Sequence, residues 1–323
     1  MLTDRFGRTI EYLRLSVTDR CDLRCSYCLP RGFKEFEEPA HCLSIDEIER
    51  VVGSFARLGV KRVRLTGGEP LLRPGLTDLA RRLRALPGIE DLSLSTNATQ
   101  LAQHAAGLAR AGVSRINVSL DSLRPERMAK ITGRDCLDQV LDGIGAGKQA
   151  GFQPIKINMV VMGGINEDEI DDMAAFCMYH GFALRLIETM PMGDTGRQTK
   201  YVDLQPIRQR LQQRLGLIDG VVPGGGPARS LLSPDRRFSV GFITPLSQHF
   251  CDTCNRVRLG VDGMLHLCLG QDDRCDLRAL LRGGASDATL ESAIRQAVHM
   301  KPERHEFREN PAKVVRFMSL TGG

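Results

Sequence analysis

From residue 12 to about residue 190, short apolar runs alternate with longer stretches whose apolar residues recur at helical spacing. Segments 12–17, 62–66, 91–95, 115–120, 155–161 and 182–188 are short and rich in Val, Ile and Leu, which predicts strands. Segments 44–58, 75–85, 101–111, 137–150 and 167–180 have helical length and period. Ser44-Ile45-Asp46-Glu47 carries the Ser and Glu of a capping box at the start of the first helix. Strand-helix alternation of this kind predicts a parallel sheet with helices outside it, joined by right-handed crossovers. Six strands are too few to close an eight-stranded barrel. A partial, TIM-like (β/α)6 barrel is therefore the expected α/β architecture, with a flavodoxin-like open sheet as the alternative. In either, chemistry belongs at the C-terminal ends of the strands.

The alternation breaks after residue 190. Met190-Pro191-Met192-Gly193 reads as a turn, 203–215 as a helix, and the Gly- and Pro-rich stretch 220–227 as a linker. Beyond it, 237–243, 257–261 and 264–267 read as short strands, the last two joined by an Asp262-Gly263 hairpin turn. Helices are expected at 277–281 and 288–299, followed by a polar tail over 301–323. The expected division is a barrel over residues 1–219 and a C-terminal extension over 220–323.

Composition narrows the function classes. The 323 residues are 42% hydrophobic and 26% charged, an ordinary globular balance that excludes disorder, collagen and coiled coil as the main architecture. No apolar run approaches the roughly 20 residues needed to cross a bilayer. Met1-Leu2-Thr3-Asp4-Arg5 lacks the apolar core of a secretory signal, so a cytoplasmic location is expected. The net charge is +5, and only 8 of the 44 basic residues are Lys. Arg suits bidentate recognition of carboxylate and phosphate. There is no Lys/Arg block, no Trp, and only 5% aromatic residues, which argues against a nucleic-acid surface.

The ten cysteines carry more. Cys21, Cys25 and Cys28 form C-x3-C-x2-C just after the first strand, and Cys251, Cys254 and Cys268 form C-x2-C-x13-C. Clustered cysteines in a reducing compartment are commonly metal ligands. Isolated ones are commonly small buried hydrophobes, the reading for Cys42, Cys136 and Cys177. Three thiolates on one tight loop suit a [4Fe–4S] cluster with one open iron. A zinc loop, which favours paired C-x2-C motifs, suits that spacing poorly. In the second triplet, Cys275 as a fourth ligand would give a closed structural site, of zinc or a saturated cluster. Without it, a second open [4Fe–4S] cluster results. Spacing leaves both open.

Cys21-Asp22-Leu23-Arg24-Cys25-Ser26-Tyr27-Cys28 resembles the signature of the radical S-adenosylmethionine (SAM) enzymes, and Thr66-Gly67-Gly68-Glu69-Pro70 closes the second strand as that superfamily's second motif does. The resemblance implies that the open iron chelates the methionyl group of SAM, and that one electron then yields a 5′-deoxyadenosyl radical. Over nearly its whole length the chain is further similar to the GTP 3′,8-cyclase family of molybdenum cofactor biosynthesis. The likeness includes Asp4-Arg5-Phe6-Gly7-Arg8, Leu13-Arg14-Leu15-Ser16-Val17-Thr18-Asp19-Arg20-Cys21, Asn158-Met159-Val160-Val161, Glu188-Thr189-Met190-Pro191-Met192-Gly193, Asn255-Arg256-Val257-Arg258 and the terminal Gly-Gly. This likeness implies two [4Fe–4S] clusters, on Cys21, Cys25 and Cys28 and on Cys251, Cys254 and Cys268. The implied reaction converts GTP to 3′,8-cyclo-7,8-dihydro-GTP.

By the same resemblance Tyr27, Gly68, Glu69, Ser119 and Met190 bind SAM, while Arg14, Arg64, Ser95, Lys156, Arg256, Val257 and Arg258 contact GTP. Arg14, Arg256 and Arg258 are also the candidate catalytic residues. A triphosphate asks for several fixed cations, and Arg62 and Arg185 are further candidates on the strands. The implied partners are an electron donor such as a flavodoxin or ferredoxin and a downstream cyclic pyranopterin monophosphate synthase, with no nucleic acid or membrane. The chain is expected to be a monomer or homodimer. Two positions depart from the family pattern: Ser95-Thr96-Asn97-Ala98 stands where Thr-Thr-Asn-Gly is usual, and Thr189 stands where a bulkier residue is common. The double glycine at the C-terminus is implied to reach into the active site.

Overall fold

The computed structural model describes residues 1–30, 32–222, 225–310 and 316–322. The capping box forms at the start of the first helix: the Glu47 N–H donates to Ser44 Oγ (3.1 Å) and the Ser44 N–H to Glu47 Oε2 (2.7 Å). The strands are β1 (Tyr12–Ser16), β2 (Arg62–Thr66), β3 (Asp91–Thr96), β4 (Arg115–Ser119), β5 (Ile155–Val161), β6 (Ala183–Glu188), β7 (Ile218–Gly220), β8 (Arg229–Leu232), β9 (Ser239–Ile243), β10 (Arg256–Leu259), β11 (Met264–His266) and β12 (Arg274–Asp276). The helices are α1 (Ile45–Arg57), α2 (Leu76–Ala85), α3 (Leu101–Arg110), α4 (Pro125–Thr132), α5 (Leu137–Gln149), α6 (Ile170–His180), α7 (Gly193–Gln198), α8 (Leu204–Leu215), α9 (Leu277–Arg282), α10 (Asp287–His299) and α11 (Met318–Thr321).

All twelve strands join one sheet in the order β12-β11-β10-β1-β2-β3-β4-β5-β6-β9-β8-β7. Strands β1 to β6 lie in chain order and are all parallel. A flavodoxin-like sheet would place the second strand outside the first, so that alternative is corrected. C-terminal strands extend both edges: β10 adds parallel to β1 and β9 parallel to β6, each followed by antiparallel strands. The expected boundary after residue 219 thus falls inside β7.

The sheet curves into a partial barrel. In a flat sheet β10 and β6 would stand about 29 Å apart, six strand spacings of about 4.8 Å. Yet Arg256 on β10 and Arg185 on β6 line one cavity. Strand alternation sorts the two faces. Leu13 and Leu15 of β1, with Val63 and Leu65 of β2, are fully buried in the core cluster that also takes Ile48, Val51, Val52 and Phe55 of α1. Tyr12 and Arg14, with Arg62 and Arg64, point the other way. Cys136 and Cys177 are buried, as expected of isolated cysteines, while Cys42 is half-buried.

Some elements differ from the sequence expectation. Helices α4 and α7 and the three- or four-residue strands β7, β8 and β12 were not expected. The polar tail folds back on the body: Lys301, Phe307, Ser319 and Thr321 are buried, and α11 forms. Residues 311–315 of the tail and Gly323 of the terminal double glycine lie outside the described residues, as do residues 223 and 224 of the linker.

Ala98 occupies the left-handed region at φ 63°. This is where the family pattern has Gly, and the departure leaves a strained, buried alanine. Left-handed backbone costs a residue with a Cβ about 1–2 kcal/mol. Glycine would relieve that strain but lose a buried methyl worth about 0.8 kcal/mol and freeze out about 0.5–1 kcal/mol more backbone entropy. Ala98→Gly should therefore stay within about 1 kcal/mol of the parent. Ala105→Gly in α3, also buried but with helical backbone, should cost about 1–2 kcal/mol. Urea unfolding of both variants checks this; equal losses would mean that Ala98 is unstrained.

Candidate active site

Two cavities open inside the curl, each carrying one cysteine triplet. The first is lined by Cys21, Cys25 and Cys28 and by Tyr27, Gly68, Ser95, Ser119 and Met190. The second is lined by Cys251, Cys254 and Cys268 and by Arg14, Arg64, Arg256, Val257 and Arg258. Asn158, Ile187, Met190 and Met318 border both, so the two spaces share a wall.

The expected residues distribute unevenly over these spaces. Ser95, expected on the substrate, lines the first cavity, and its hydroxyl has no hydrogen-bond partner among the described residues. Lys156 lines neither large cavity. It lines a smaller one with Arg185 and Gly226, both of which also border the second cavity. Arg62 pairs with Glu11 at 3.2 Å, and Arg185 donates to Asn117 Oδ1 at 3.1 Å. Cys275 stands on β12 opposite Leu265 and lines neither large cavity.

The glycine motif explains how the first cysteine loop is held. The Gly68 N–H donates to Thr18 O and the Glu69 N–H to Arg20 O, both at 2.8 Å. A Cβ on Gly67 would fall 2.2 Å from Thr18 O, and one on Gly68 2.3 Å from Arg20 O. Only residues without a Cβ let these two backbones meet. Glu69, expected at the cofactor, is fully buried behind the glycines. Its carboxyl accepts from the Thr96 hydroxyl and the Asn97 N–H (2.6 Å each) and from the Leu71 N–H (3.1 Å). Burial pushes this carboxyl up to about 7, against those three hydrogen bonds.

Sequence reasoning missed the partners that orient this loop. The Tyr27 hydroxyl donates to Asp121 Oδ2 and the Val160 N–H to Asp121 Oδ1, both at 2.8 Å. Asp22 accepts from Asn97 Nδ2 (2.8 Å), the Thr99 hydroxyl (2.7 Å) and Arg134 (3.0 Å). Glu188 at the end of β6 holds the loop before the second triplet through the Leu246 and Ser247 N–H groups, at 2.9 and 3.1 Å. The signal in sequence was only an acid at or just after a strand end for Glu188 and Asp121, and one inside the cysteine motif for Asp22.

In the second cavity the strand register places Arg258, Arg14 and Arg64 abreast on β10, β1 and β2. Arg256 and Tyr12 form the row behind. Burial, then the neighbouring Arg258 and Arg64, hold the Arg14 guanidinium well below its ordinary pKa. The Nε atoms of Arg14, Arg64 and Arg256 are buried without a hydrogen-bond partner among the described residues. Like charges packed with unused donors are the lining expected of an anion site. The tail reaches this row: Arg258 Nη1 donates to Thr321 O at 3.2 Å and also to Gly322 O. A Cβ on Gly322 would fall 2.2 Å from the Thr66 side chain, so glycine is required there.

The donor sets suit iron–sulfur clusters. Each triplet puts three thiols around one cavity, as a cluster with one thiolate per iron requires. Burial raises the Cys21 and Cys28 thiols to about 12. Among the described residues, no three His, Cys, Asp or Glu side chains converge as a single-ion site.

Two outcomes follow from this geometry. Gly68→Ala should force the cysteine loop away, lowering iron content by about four per chain and SAM cleavage about 100-fold or more; full iron loading, read by iron and sulfide analysis, would count against the packing argument. Burial raises the Asp121 carboxyl to about 6 from 3.8, so the folded state binds its proton more tightly than the unfolded chain. That contribution is complete below the unfolded value and is lost as pH rises through about 6. Asp121→Asn should therefore flatten the fall in stability between about pH 4 and 6.5, read from urea midpoints across that range. An unchanged slope would place the titration elsewhere.

Known proteins resemble this chain at both levels. A family model described as the radical SAM superfamily matches residues 15–177, and one described as Molybdenum Cofactor Synthesis C matches residues 182–307. A GTP 3′,8-cyclase of Ectopseudomonas mendocina is 46% identical over 327 residues, covering 100% of this chain and 98% of the relative. GTP 3′,8-cyclase 2 of Pseudomonas aeruginosa is 45% identical with the same coverage. Among solved structures, SuiB of Streptococcus suis bound to S-adenosylmethionine superposes with a TM-score of 0.64 at 16% identity, covering 88% of this chain and 68% of that one. It shares the fold. Among the described residues no helix is long and apolar enough to cross a membrane. With relatives this similar along its whole length, and with two adjoining cysteine-lined cavities inside a partial barrel, the chain belongs to the GTP 3′,8-cyclase family of the radical SAM superfamily.

Proposed function

We propose that the protein converts GTP to 3′,8-cyclo-7,8-dihydro-GTP, the first step of molybdenum cofactor biosynthesis. The observation that carries the reading is the shared wall between the two cavities, one suited to SAM and one to an anionic nucleotide. Cys21, Cys25 and Cys28 hold a [4Fe–4S] cluster, which with SAM supplies a radical able to take hydrogen from carbon. Gly68, Ser119, Tyr27 and Met190 line the space for SAM, and Glu69 fixes the turn that shapes it.

Cys251, Cys254 and Cys268 would hold a second cluster, which would offer the nucleotide an iron without a thiolate ligand. Arg14, Arg64, Arg256 and Arg258 neutralise the triphosphate and hold the ribose at the shared wall, with Val257 packed beside them. Lys156 and Arg185 extend the clamp into the adjoining small cavity. Ser95 meets the ligand from the SAM side. The reading carries with it a cytoplasmic enzyme, a flavodoxin- or ferredoxin-type electron donor, and a cyclic pyranopterin monophosphate synthase that consumes the product. Residues 1–219 carry the first cluster and 220–323 the second.

Anaerobic turnover with GTP, SAM and reductant tests the reaction. The expected result is GTP-dependent 5′-deoxyadenosine with an equal amount of cyclised nucleotide. SAM cleavage indifferent to GTP, with no cyclised nucleotide, would sink it. Arg256→Ala and Arg258→Ala should each lower product formation about 100-fold or more while keeping the iron content of the parent. Parental turnover in either would show that the arginine is not aimed at substrate.

A further inference from the structure

Lys301, just beyond α10, is 1% exposed. Its ammonium donates to Leu267 O, beside Cys268, and lines the second cavity with Cys251, Cys254 and Cys268. It has no carboxylate partner among the described residues. A buried ammonium without a counter-ion is costly, so the charge it faces must come from the cavity.

The lysine is held there by design of the surrounding backbone. Arg8 donates to Cys251 O (2.9 Å), Pro302 O (2.7 Å) and Glu303 O (2.6 Å), and its Nε pairs with Asp4 at 2.6 Å. One guanidinium thus ties the first cysteine of the triplet to the two residues after Lys301. On the other side Arg316 caps Cys268 O (3.0 Å) and Gln271 O (2.8 Å).

The charged groups around the two triplets differ in sign. Asp22 lies in the first cysteine loop, and Glu69 and Asp121 are buried behind it. Lys301 lines the second cavity together with Arg14, Arg64, Arg256 and Arg258.

We propose that Lys301 is the buried countercharge of the second iron–sulfur cluster and raises its reduction potential. The proposal rests on the reading that Cys251, Cys254 and Cys268 hold such a cluster. Three thiolates leave a [4Fe–4S] core with net negative charge, and one-electron reduction adds another. A fixed ammonium in a low-dielectric site favours the more negative state.

The test is an electron paramagnetic resonance redox titration of the anaerobic holoenzyme, with dithionite as reductant and dye mediators. The second cluster's signal is the one that survives in the Cys21→Ala, Cys25→Ala, Cys28→Ala triple variant. Lys301→Met should move that cluster's midpoint to more negative potential and leave the first cluster's unchanged, while Lys301→Arg stays near the parent. An unmoved midpoint in Lys301→Met overturns the proposal, including the case where only GTP affinity falls and the lysine is a substrate ligand. If Lys301→Met fails to load the second cluster but Lys301→Arg loads normally, a required positive charge is supported. Failure of both to load would make Lys301 a packing residue and overturn it. A parent enzyme with iron at the first site alone would instead refute the two-cluster reading, and iron counting on the parent separates that case.

Discussion

Arg258, Arg14 and Arg64 stand abreast on three adjacent strands, side chains directed into the barrel. Neighbouring strands are only about 4.8 Å apart, so three cations share one cavity. Nothing in the packing of the sheet asks for this. Leucines at the same positions would fill the interior at lower free energy, as other barrels do. The row makes sense when an anion completes it, and much of the surrounding structure serves that end. β10 brings Arg256 and Arg258 to the free edge of β1. β9 and the loop after it wall the opposite side, anchored by Glu188. The tail carbonyls of Thr321 and Gly322 partly satisfy Arg258.

The C-terminal third therefore extends the partial barrel at both edges and lines most of the second cavity. The chain leaves the sheet after β6, adds β9 beside it, crosses over, and returns as β10 beside β1. The second cysteine loop is the start of that return. Its position is set by a strand pairing far away in sequence, and Arg8 secures it to residues 302 and 303. A point change in the N-terminal segment can thus disturb a site formed by residues some 250 positions later.

What was legible in the sequence followed range. Strands β1 to β6 came out within a residue or two because apolar alternation and flanking helices are local signals. The cysteine triplets and the glycine motif were legible because spacing alone constrains their chemistry. Strands β7, β8 and β12 were not, since three or four residues carry no period and their pairing is decided by the sheet edge they meet. Helix α4 had a Pro at its start and Gly133 at its end, signals that were present but fell inside what read as a connector. Lys301 and the Asp4–Arg8 pair were invisible as site residues, because a lone charge in a polar stretch looks solvated until burial is known.

The two cavities also differ in sign, and that difference bears on how each ligand finds its place. Acids surround the first: Glu69 and Asp121 are buried behind it, Asp22 buttresses the cysteine loop, and Glu188 is on its wall. Cations surround the second: Arg14, Arg64, Arg256, Arg258 and Lys301. An anion meets cations on the lining of the second space and none on the lining of the first, so the two spaces favour ligands of different charge. The shared wall of Asn158, Ile187, Met190 and Met318 is nearly uncharged. It is where the acid-flanked space and the cation-lined space meet.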